Sequence, residues 1–275
     1  MKRNILFLVI SMMFCSYTYG QSFKRDFLAA LNARNMNKAE EVLKAWDLAD
    51  SNDAELYISY FNFYTVKSQN TSIISTTGYD MNNSQKALDF ITEGIDRFPS
   101  RIDMRFAKIT MLGKLKKFPN YTDEVIKLIQ YAKKTDNNWK GVNFKLIGKP
   151  VEIFFDAVQE FQEMLFAEKN PALYKDIIKI SNEMLKSYPK HVQSWLNIST
   201  IYIEQKEYDK SLEALMKAKE SDPKNAVLLF NIADVYNIKG DKVNAKMHYD
   251  LTIANASEKE EKLQDAARLK LNMLN

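Results

Sequence analysis

The feature that most constrains this sequence is a repeat of 34 residues in its C-terminal half. When the segment that follows His191 is shifted by that interval, residues of the same class fall on one another. The matched pairs are Trp195 and Leu229, Ile198 and Ile232, Ser199 and Ala233, Tyr202 and Tyr236, Lys206 and Gly240, Ser211 and Ala245, Leu215 and Tyr249, and Ala218 and Thr252. A fixed period of this length is typical of a chain built from stacked structural units.

Each matched class has a physical role in a pair of helices. The large residues recur at helical spacing and predict the buried stripe of a first helix. Small residues at Ser199 and Ser211 allow two helices to approach closely, and the segment 206–208 fits the tight turn between them. Pro189 and Pro223 end second helices, because proline lacks the amide proton and forces its predecessor out of helical geometry.

These residues resemble the tetratricopeptide repeat family. The resemblance rests on Trp195-x-x-Ile198-Ser199-x-x-Tyr202, followed by Ser211, Leu215, Ala218 and Pro223, and it is specific over residues 189–254. It implies a right-handed α-solenoid of stacked antiparallel helix hairpins. It also implies a scaffold that binds a protein or peptide and carries out no chemistry.

The pattern extends upstream, where Ala87, Ile91, Gly94 and Pro99 have the same mutual spacing as Ser211, Leu215, Ala218 and Pro223. The apolar periodicity predicts helices over 23–34, 37–49, 53–66, 102–115, 122–133, 151–166 and 172–188. A last helix over 259–274 follows Ser257, a good N-cap, and begins with charged residues suited to a terminal cap. The sequence therefore predicts an all-α fold of about six hairpins plus a C-terminal capping helix.

The interval from Pro99 to Pro189 is not a whole number of periods, so the regular array is interrupted. We expect degenerate hairpins over 21–134 with an inserted loop at 68–84, a second inserted loop at 135–149, and the C-terminal repeats and capping helix over 150–275. Ile73, Ile74 and Tyr79 in the first loop, and Trp139, Val142, Phe144 and Ile147 in the second, are the apolar residues of these insertions. They either fold back onto the helices or form exposed anchors for a partner.

The segment 1–20 has the features of a secretory signal peptide. Two basic residues precede an apolar run over 5–14, and Thr18 and Gly20 place small residues where a signal peptidase requires them, before Gln21. An apolar run of roughly ten residues is short of the roughly twenty that span a bilayer. We therefore expect a periplasmic or secreted protein of a bacterial cell envelope, without stable membrane insertion after cleavage.

Cys15 offers an alternative, the lipid-attachment cysteine of a lipoprotein, but Phe14 before it is too large for that pattern. Cleavage before Gln21 would leave no cysteine and no disulfide. The chain has 39 Lys and Arg against 35 Asp and Glu. Such a balance lacks the basic patch that a phosphate backbone attracts, so no nucleic-acid partner is expected.

In a stack of helix pairs the first helices line the inner wall, and their polar positions are the default binding surface. The candidate partner-binding residues are Gln193, Asn197, Thr200, Glu204, Asn231, Asp234 and Asn237, with the apolar Val227 among them. Asn197 and Asn231 are one period apart, and their amides could hold an extended peptide. The alternative is a pair of solvated asparagines. Family members that grip a terminal carboxylate use neighbouring basic residues, and here the neighbours Leu196 and Phe230 are apolar.

Catalysis is not expected. His191 and His248 are the two histidines, and neither has a second histidine at metal-ligand spacing. Glycine-rich phosphate loops and nucleophile elbows are absent from the sequence, so no cofactor or metal is expected. The alternative function is a small-ligand or glycan capture protein of the cell envelope. Several carboxylates gathered in one deep pocket would instead favour a hydrolase.

Overall fold

The structure is a computed structural model that describes residues 20–69, 77–141 and 148–274. These residues form thirteen α-helices: α1 (20–32), α2 (Met36–Ala49), α3 (Ala54–Gln69), α4 (Met81–Arg97), α5 (Ile102–Lys114), α6 (Phe118–Lys134), α7 (Pro150–Ala167), α8 (Tyr174–Ser187), α9 (Val192–Glu204), α10 (Tyr208–Ser221), α11 (Ala226–Ile238), α12 (Lys242–Asn255) and α13 (Glu261–Leu274). In the described ranges, β-type pairing is limited to one parallel bridge between Arg101 and Lys140.

This order confirms the predicted all-α fold of stacked helix hairpins. The odd-numbered helices α1 to α11 are first helices, the even-numbered ones are second helices, and α13 follows as the terminal helix. Ser257 and Glu260 form a reciprocal capping box ahead of α13, as the sequence indicates. None of the helices in the described part combines the length and apolarity needed to cross a bilayer.

The chain divides into two compact units. We call the part up to Glu124, together with Lys134–Ala157, the N-unit, and Val125–Lys133, together with Val158–Asn275, the C-unit. The division falls inside α6 and α7, whereas the sequence suggests a division at the loop 135–149.

The core of the N-unit is rich in aromatic residues. Phe27, Trp46 and Phe63 are fully buried in one cluster. Tyr60 stacks on Phe90 with ring centroids 4.2 Å apart. Burial of each such side chain contributes about 1.5–3 kcal/mol to the stability of the folded state. This cluster therefore holds the first helix pairs together.

A buried ionic network accompanies this core. The guanidinium of Arg101 is 0% exposed, and its Nη2 lies 2.8 Å from Glu55 Oε1 and 2.7 Å from Asp103 Oδ2. Lys24 Nζ donates to Glu55 Oε2 at 2.6 Å. Although burial alone would raise it, the pKa of Glu55 is lowered by Lys24 and Arg101. The network thus joins α1, α3 and α5 through charges.

The first insertion is shorter than the predicted 68–84. Helix α3 continues to Gln69, and α4 begins at Met81, where the carboxylate of Asp80 accepts a hydrogen bond from the backbone N–H of Asn83 at 2.8 Å. Ile73 and Ile74 lie outside the described residues.

The second insertion packs onto the N-unit at its start. Trp139 is 1% exposed and lies 6.5 Å, ring to ring, from Phe154. The N–H of Lys140 donates to Ser100 O at 2.9 Å. Trp139 therefore folds back onto the helices and does not form an exposed anchor; Val142, Phe144 and Ile147 lie outside the described residues.

In the C-unit the small residues have the predicted role. The hydroxyls of Ser199 on α9 and Ser211 on α10 are buried and lie 2.7 Å apart. Ala233 and Ala245 occupy the matched positions of the next repeat and are fully buried. Close approach of the paired helices therefore requires a small side chain and does not require the hydroxyl.

Several first helices end in the same way. The residues Arg34, Lys116, Lys206 and Gly240 follow α1, α5, α9 and α11 and have φ between 54° and 79°. After α9, the N–H of Glu207 donates to Tyr202 O at 2.8 Å and that of Lys206 to Ile203 O at 2.9 Å, which is the Schellman pattern. Glycine adopts this left-handed conformation without strain, whereas a residue with a Cβ is strained by roughly 1–2 kcal/mol.

Candidate functional site

A chain of side-chain amides joins two first helices of the C-unit. Gln193 Nε2 donates to Asn197 Oδ1 at 3.1 Å, both on α9. Asn197 Nδ2 donates across to Gln159 Oε1 on α7 at 2.9 Å. Gln159 Nε2 then donates to Glu163 Oε1 at 3.0 Å. We call these four side chains the amide ladder. The side of α7 and α9 that carries it, together with the corresponding side of α11, is called the first-helix face.

The repeat explains why the amide ladder forms. Gln159 and Glu163 precede Gln193 and Asn197 by the same 34 residues that relate the C-terminal repeats. A separation of four residues places each pair on one side of its helix, one turn apart. The sequence interpretation missed Gln159 and Glu163, although one further application of the same shift would have found them.

Asn197 is held within the ladder. It is 4% exposed, its amide nitrogen donates to α7 and its amide oxygen accepts from Gln193. The more accessible amides of Gln159 and Gln193 are fixed by it on either side. The geometry gives Asn197 the role of positioning its neighbours.

Asn231 does not repeat this arrangement. Its Nδ2 donates to the backbone oxygen of Val227, one turn earlier, at 2.8 Å. Val227 occupies the position of Gln193 in the next repeat and has no amide with which to continue the ladder. Thr200 is exposed, with its hydroxyl donating to Leu196 O at 2.9 Å.

The remaining predicted residues lie toward the ends of their helices. Asp234 accepts a hydrogen bond from the hydroxyl of Tyr249 and lies 3.3 Å from Lys270 Nζ. Burial, together with Asp234, raises the pKa of Tyr249. Glu204 is exposed at the end of α9, and Asn237 is partly exposed at the end of α11. The ladder thus includes two of the seven predicted residues, Gln193 and Asn197.

Charge is distributed unequally between the two kinds of helix in the C-unit. Helices α7, α9 and α11 contain no Lys or Arg. Their acidic residues in this unit are Glu160, Glu163, Glu204 and Asp234. Helices α8, α10 and α12 carry Lys175, Lys179, Lys186, Lys210, Lys217, Lys219, Lys242 and Lys246. Apart from Lys270 of α13, which pairs with Asp234, the charges on the first-helix face are therefore the carboxylates of its own helices, which favours neutral or cationic ligands.

The histidines serve structural roles. His191 Nδ1 lies 2.8 Å from Ser194 Oγ, and burial lowers the pKa of His191. His248 is buried, with Nδ1 2.9 Å from Asn244 O and Nε2 3.0 Å from Lys219 Nζ. Burial also lowers the pKa of His248, consistent with a neutral ring that donates at Nδ1 and accepts at Nε2. Over the described ranges, His, Cys, Asp and Glu form no group of three placed to hold a metal ion.

A polar recess of about 210 Å³ lies in the N-unit among α4, α5 and α6. Lys108 Nζ on its wall is 3.2 Å from Glu124 Oε1. Lys117 Nζ donates to Gln85 Oε1, also at 3.2 Å. Both lysines on the wall of the recess are thus held by neighbouring side chains.

Comparisons with known proteins agree with the repeat. The family model of the tetratricopeptide repeat matches residues 192–225, which span α9, α10 and the turn before α11. Among curated proteins, none matches the chain significantly.

Several solved structures are similar to the chain. YrrB, a TPR protein with an unusual peptide-binding site, is 14% identical; the match covers 82% of this chain and 97% of that one, with a TM-score of 0.43. MamA from Desulfovibrio magneticus RS-1 is 14% identical over 73% of this chain and 93% of that one, with a TM-score of 0.40. PilF of Pseudomonas aeruginosa is 14% identical; the match covers 82% of this chain and 94% of that one, with a TM-score of 0.38. The matched model places one tetratricopeptide repeat at residues 192–225, within a series of helix hairpins.

Proposed function

We propose that the first-helix face of the C-unit binds an extended segment of a partner protein that is neutral or basic, and that the chain is a non-catalytic scaffold. The observation that carries this proposal is the amide ladder on helices that have carboxylates and no basic residues. Electrostatic complementarity determines which partners approach such a face and which are repelled.

The amides suit a peptide backbone. A primary amide has two N–H donors and an oxygen with two lone pairs, and the ladder uses only part of that capacity at Gln159 and Gln193. An extended peptide presents alternating N–H and C=O groups that such amides can bind. Because Asn197 already fixes both glutamines, less side-chain entropy is lost on binding.

The same face argues against capture of a terminal carboxylate. That mode requires Lys or Arg near the inward asparagine, and α7, α9 and α11 supply none. The partner segment should therefore be internal, or bound without its C-terminal charge.

The proposal can be tested with arrays of synthetic peptides whose C-termini are amidated, followed by fluorescence anisotropy on the selected sequences. We expect enrichment of Lys and Arg, and a loss of affinity of about tenfold or more in the double variant Gln159→Ala, Gln193→Ala. Gln130→Ala is the matched control. Its amide also bridges two helices, donating to Glu183 Oε1 at 3.0 Å, but on the second helices α6 and α8.

The charge of the face gives a second readout. The double variant Glu163→Gln, Glu204→Gln should bind basic peptides more weakly, and the affinity that remains should depend less on salt concentration. Tighter binding of a peptide with a free C-terminal carboxylate than of its amidated form would overturn the proposal. Thermal stabilisation by oligosaccharides, with no peptide selected, would favour the small-ligand alternative.

We also propose that the protein acts in the periplasm or is secreted. The basis is the sequence pattern of residues 1–20, of which only Gly20 lies within the described part. N-terminal sequencing of protein from the envelope of a Gram-negative host should find Gln21 as the first residue, also in a Cys15→Ser variant. Retention of Met1 in the cytosolic fraction, or lipid attached at Cys15, would contradict this location.

A further inference from the structure

The recess among α4, α5 and α6 combines an apolar floor with charges of both signs. Leu88 of α4 and Leu112 of α5 line it and are 5% and 4% exposed. Its charged lining residues are Asp89, Lys108, Lys117 and Glu124. The two carboxylates and the two ammonium groups cancel in formal charge, so the lining matches a ligand that carries one charge of each sign.

Two of these charges hold each other at one end of the recess. Lys108 Nζ lies 3.2 Å from Glu124 Oε1, and the two side chains are 15% and 14% exposed. A pair so shielded from water stays together, because separation would leave each charge poorly solvated. Asp89, which is exposed, and Lys117, which is partly exposed, are therefore the charges that meet a ligand.

The side chain of Gln85 joins these two charges. Its Nε2 donates to Asp89 Oδ1 at 2.8 Å, and its Oε1 accepts from Lys117 Nζ at 3.2 Å. One primary amide thus offers a donor to the carboxylate and an acceptor to the ammonium. Gln85 is itself exposed, so its side chain has room to turn toward solvent. The amide marks the place of a ligand group that has a donor and an acceptor close together.

The start of α6 adds positive charge beside Lys117. Lys117 directly precedes this helix, and its side chain has no acceptor with which to cap the first backbone amides. Asn120, in the first turn of α6, also lines the recess. The partial positive charge of the helix N-terminus therefore adds to that of the ammonium. A carboxylate is favoured at Lys117, and an ammonium is favoured at Asp89.

We propose that the recess binds a free amino acid, whose carboxylate pairs with Lys117 and whose ammonium pairs with Asp89 in place of the Gln85 amide. Both charged groups of an amino acid are attached to one carbon atom, so they lie close together, as the two polar atoms of the amide do. Charge-assisted hydrogen bonds are roughly twice as strong as neutral ones, which favours this exchange.

The size of the recess agrees with such a ligand. Its volume of about 210 Å³ is below the about 300–1,000 Å³ of pockets that hold drug-sized molecules. The site belongs to the N-unit, so it does not depend on the peptide binding proposed for the first-helix face.

Ligand-observed NMR titrations of the full chain with each standard amino acid test the proposal. We expect at least one to bind with a dissociation constant of about 1 mM or lower. Its N-acetyl derivative and its carboxamide each lack one charge and should bind about tenfold more weakly or worse. Absence of binding by every amino acid up to about 10 mM, or equal binding of both derivatives, would overturn the proposal.

Variants that remove one charge locate the ligand. Asp89→Asn and Lys117→Met should each lower the affinity about tenfold or more. Asp96→Asn and Lys114→Met are the matched controls, since both residues are exposed and neither lines the recess. Circular dichroism should show that all four variants fold. If Asp89→Asn and Lys117→Met bind as the natural sequence does, the assigned contacts are wrong.

The variant Gln85→Ala tests whether the amide gives way to the ligand. It removes the group that the amino acid must displace, so the affinity should rise severalfold. A lower affinity would show that the amide itself holds the ligand, which contradicts the proposed exchange. Peptide selection by the first-helix face should be the same in this variant, so failure of either proposal can be told from failure of the other.

Discussion

The two units of this protein use the same helix pairs and differ in how those pairs are held together. In the C-unit, small residues such as Ser199 and Ser211 let neighbouring helices meet, and the same solution recurs 34 residues later as Ala233 and Ala245. The N-unit depends on individual contacts, above all the buried guanidinium of Arg101. Regular repetition therefore lets one packing solution serve successive hairpins, whereas the irregular hairpins depend on specific contacts that do not recur.

The largest effect is expected where a charge is buried. Arg101→Met should destabilise the N-unit by about 3–5 kcal/mol, because it leaves Glu55 and Asp103 without their buried partner. Hydrogen exchange should accelerate in α1, α3 and α5 of the N-unit and should be unchanged in α9 and α11 of the C-unit. Lys24→Met removes a partly exposed partner of the same carboxylate and should cost at most about 1 kcal/mol.

Low pH should weaken the same ionic network around Arg101 and Glu55. Because the pKa of Glu55 is lowered in the folded state, its contribution is fully present above the ordinary value of 4.5 and is lost as pH falls through the lowered value. Burial raises the pKa of Asp53, which acts in the opposite sense. Urea unfolding of Glu55→Gln should therefore depend less on pH below 4.5 than that of the natural sequence. Equal pH dependence in the two would contradict a role for this carboxylate.

A smaller effect separates two equivalent positions of second helices, Gly94 in the N-unit and Ala218 in the C-unit. A Cβ at Gly94 would lie 2.8 Å from Tyr57 Cβ, an atom that cannot move without its backbone. Gly94→Ala should lower the free energy of unfolding by about 1–3 kcal/mol, although alanine has a better helix propensity than glycine. Ala218→Gly, with no such clash to relieve, should cost about 1 kcal/mol through backbone entropy. Stabilisation by Gly94→Ala in urea titrations would show that Tyr57 adapts.

The serine pair of the C-unit tests whether the hydroxyls matter. Ser199→Ala or Ser211→Ala alone should cost about 1 kcal/mol, since each leaves a buried hydroxyl without its partner. The double variant reproduces the Ala233 and Ala245 pair and should be nearly neutral. A double-mutant cycle by urea unfolding measures the difference, and additive losses would show that the hydroxyls act independently.

The smallest effect concerns helix ends. Lys206→Gly should stabilise by about 0.5–1 kcal/mol, because glycine accepts the positive φ of 60° found there without strain. Gly240→Lys, at the matched position, should destabilise by a similar amount. Thermal unfolding followed by circular dichroism would detect both changes, and Arg34→Gly extends the comparison to the N-unit.

Local periodicity was sufficient to predict much of this protein from its sequence. The helix pairs, the buried stripes of α9 and α11, the N-cap at Ser257 and the role of Ser199 and Ser211 all follow from spacing within one or two turns. The placement of Gln193 and Asn197 one turn apart on α9 follows from the same spacing. Glu163 and Gln159 could have been found too, because the 34-residue period reaches them.

The tertiary structure decided what spacing does not encode. Asn197 is locked between two glutamines because α7 lies beside α9, which brings Gln159 from 38 residues away into hydrogen-bonding distance. Arg101 is buried because Glu55 and the segment around Lys140 enclose it. The sequence by itself determined which segments are helical and which sides are apolar, since those depend on near neighbours along the chain. Which polar groups are satisfied, and which apolar stripes remain exposed, depends on groups distant in sequence and was decided only by packing.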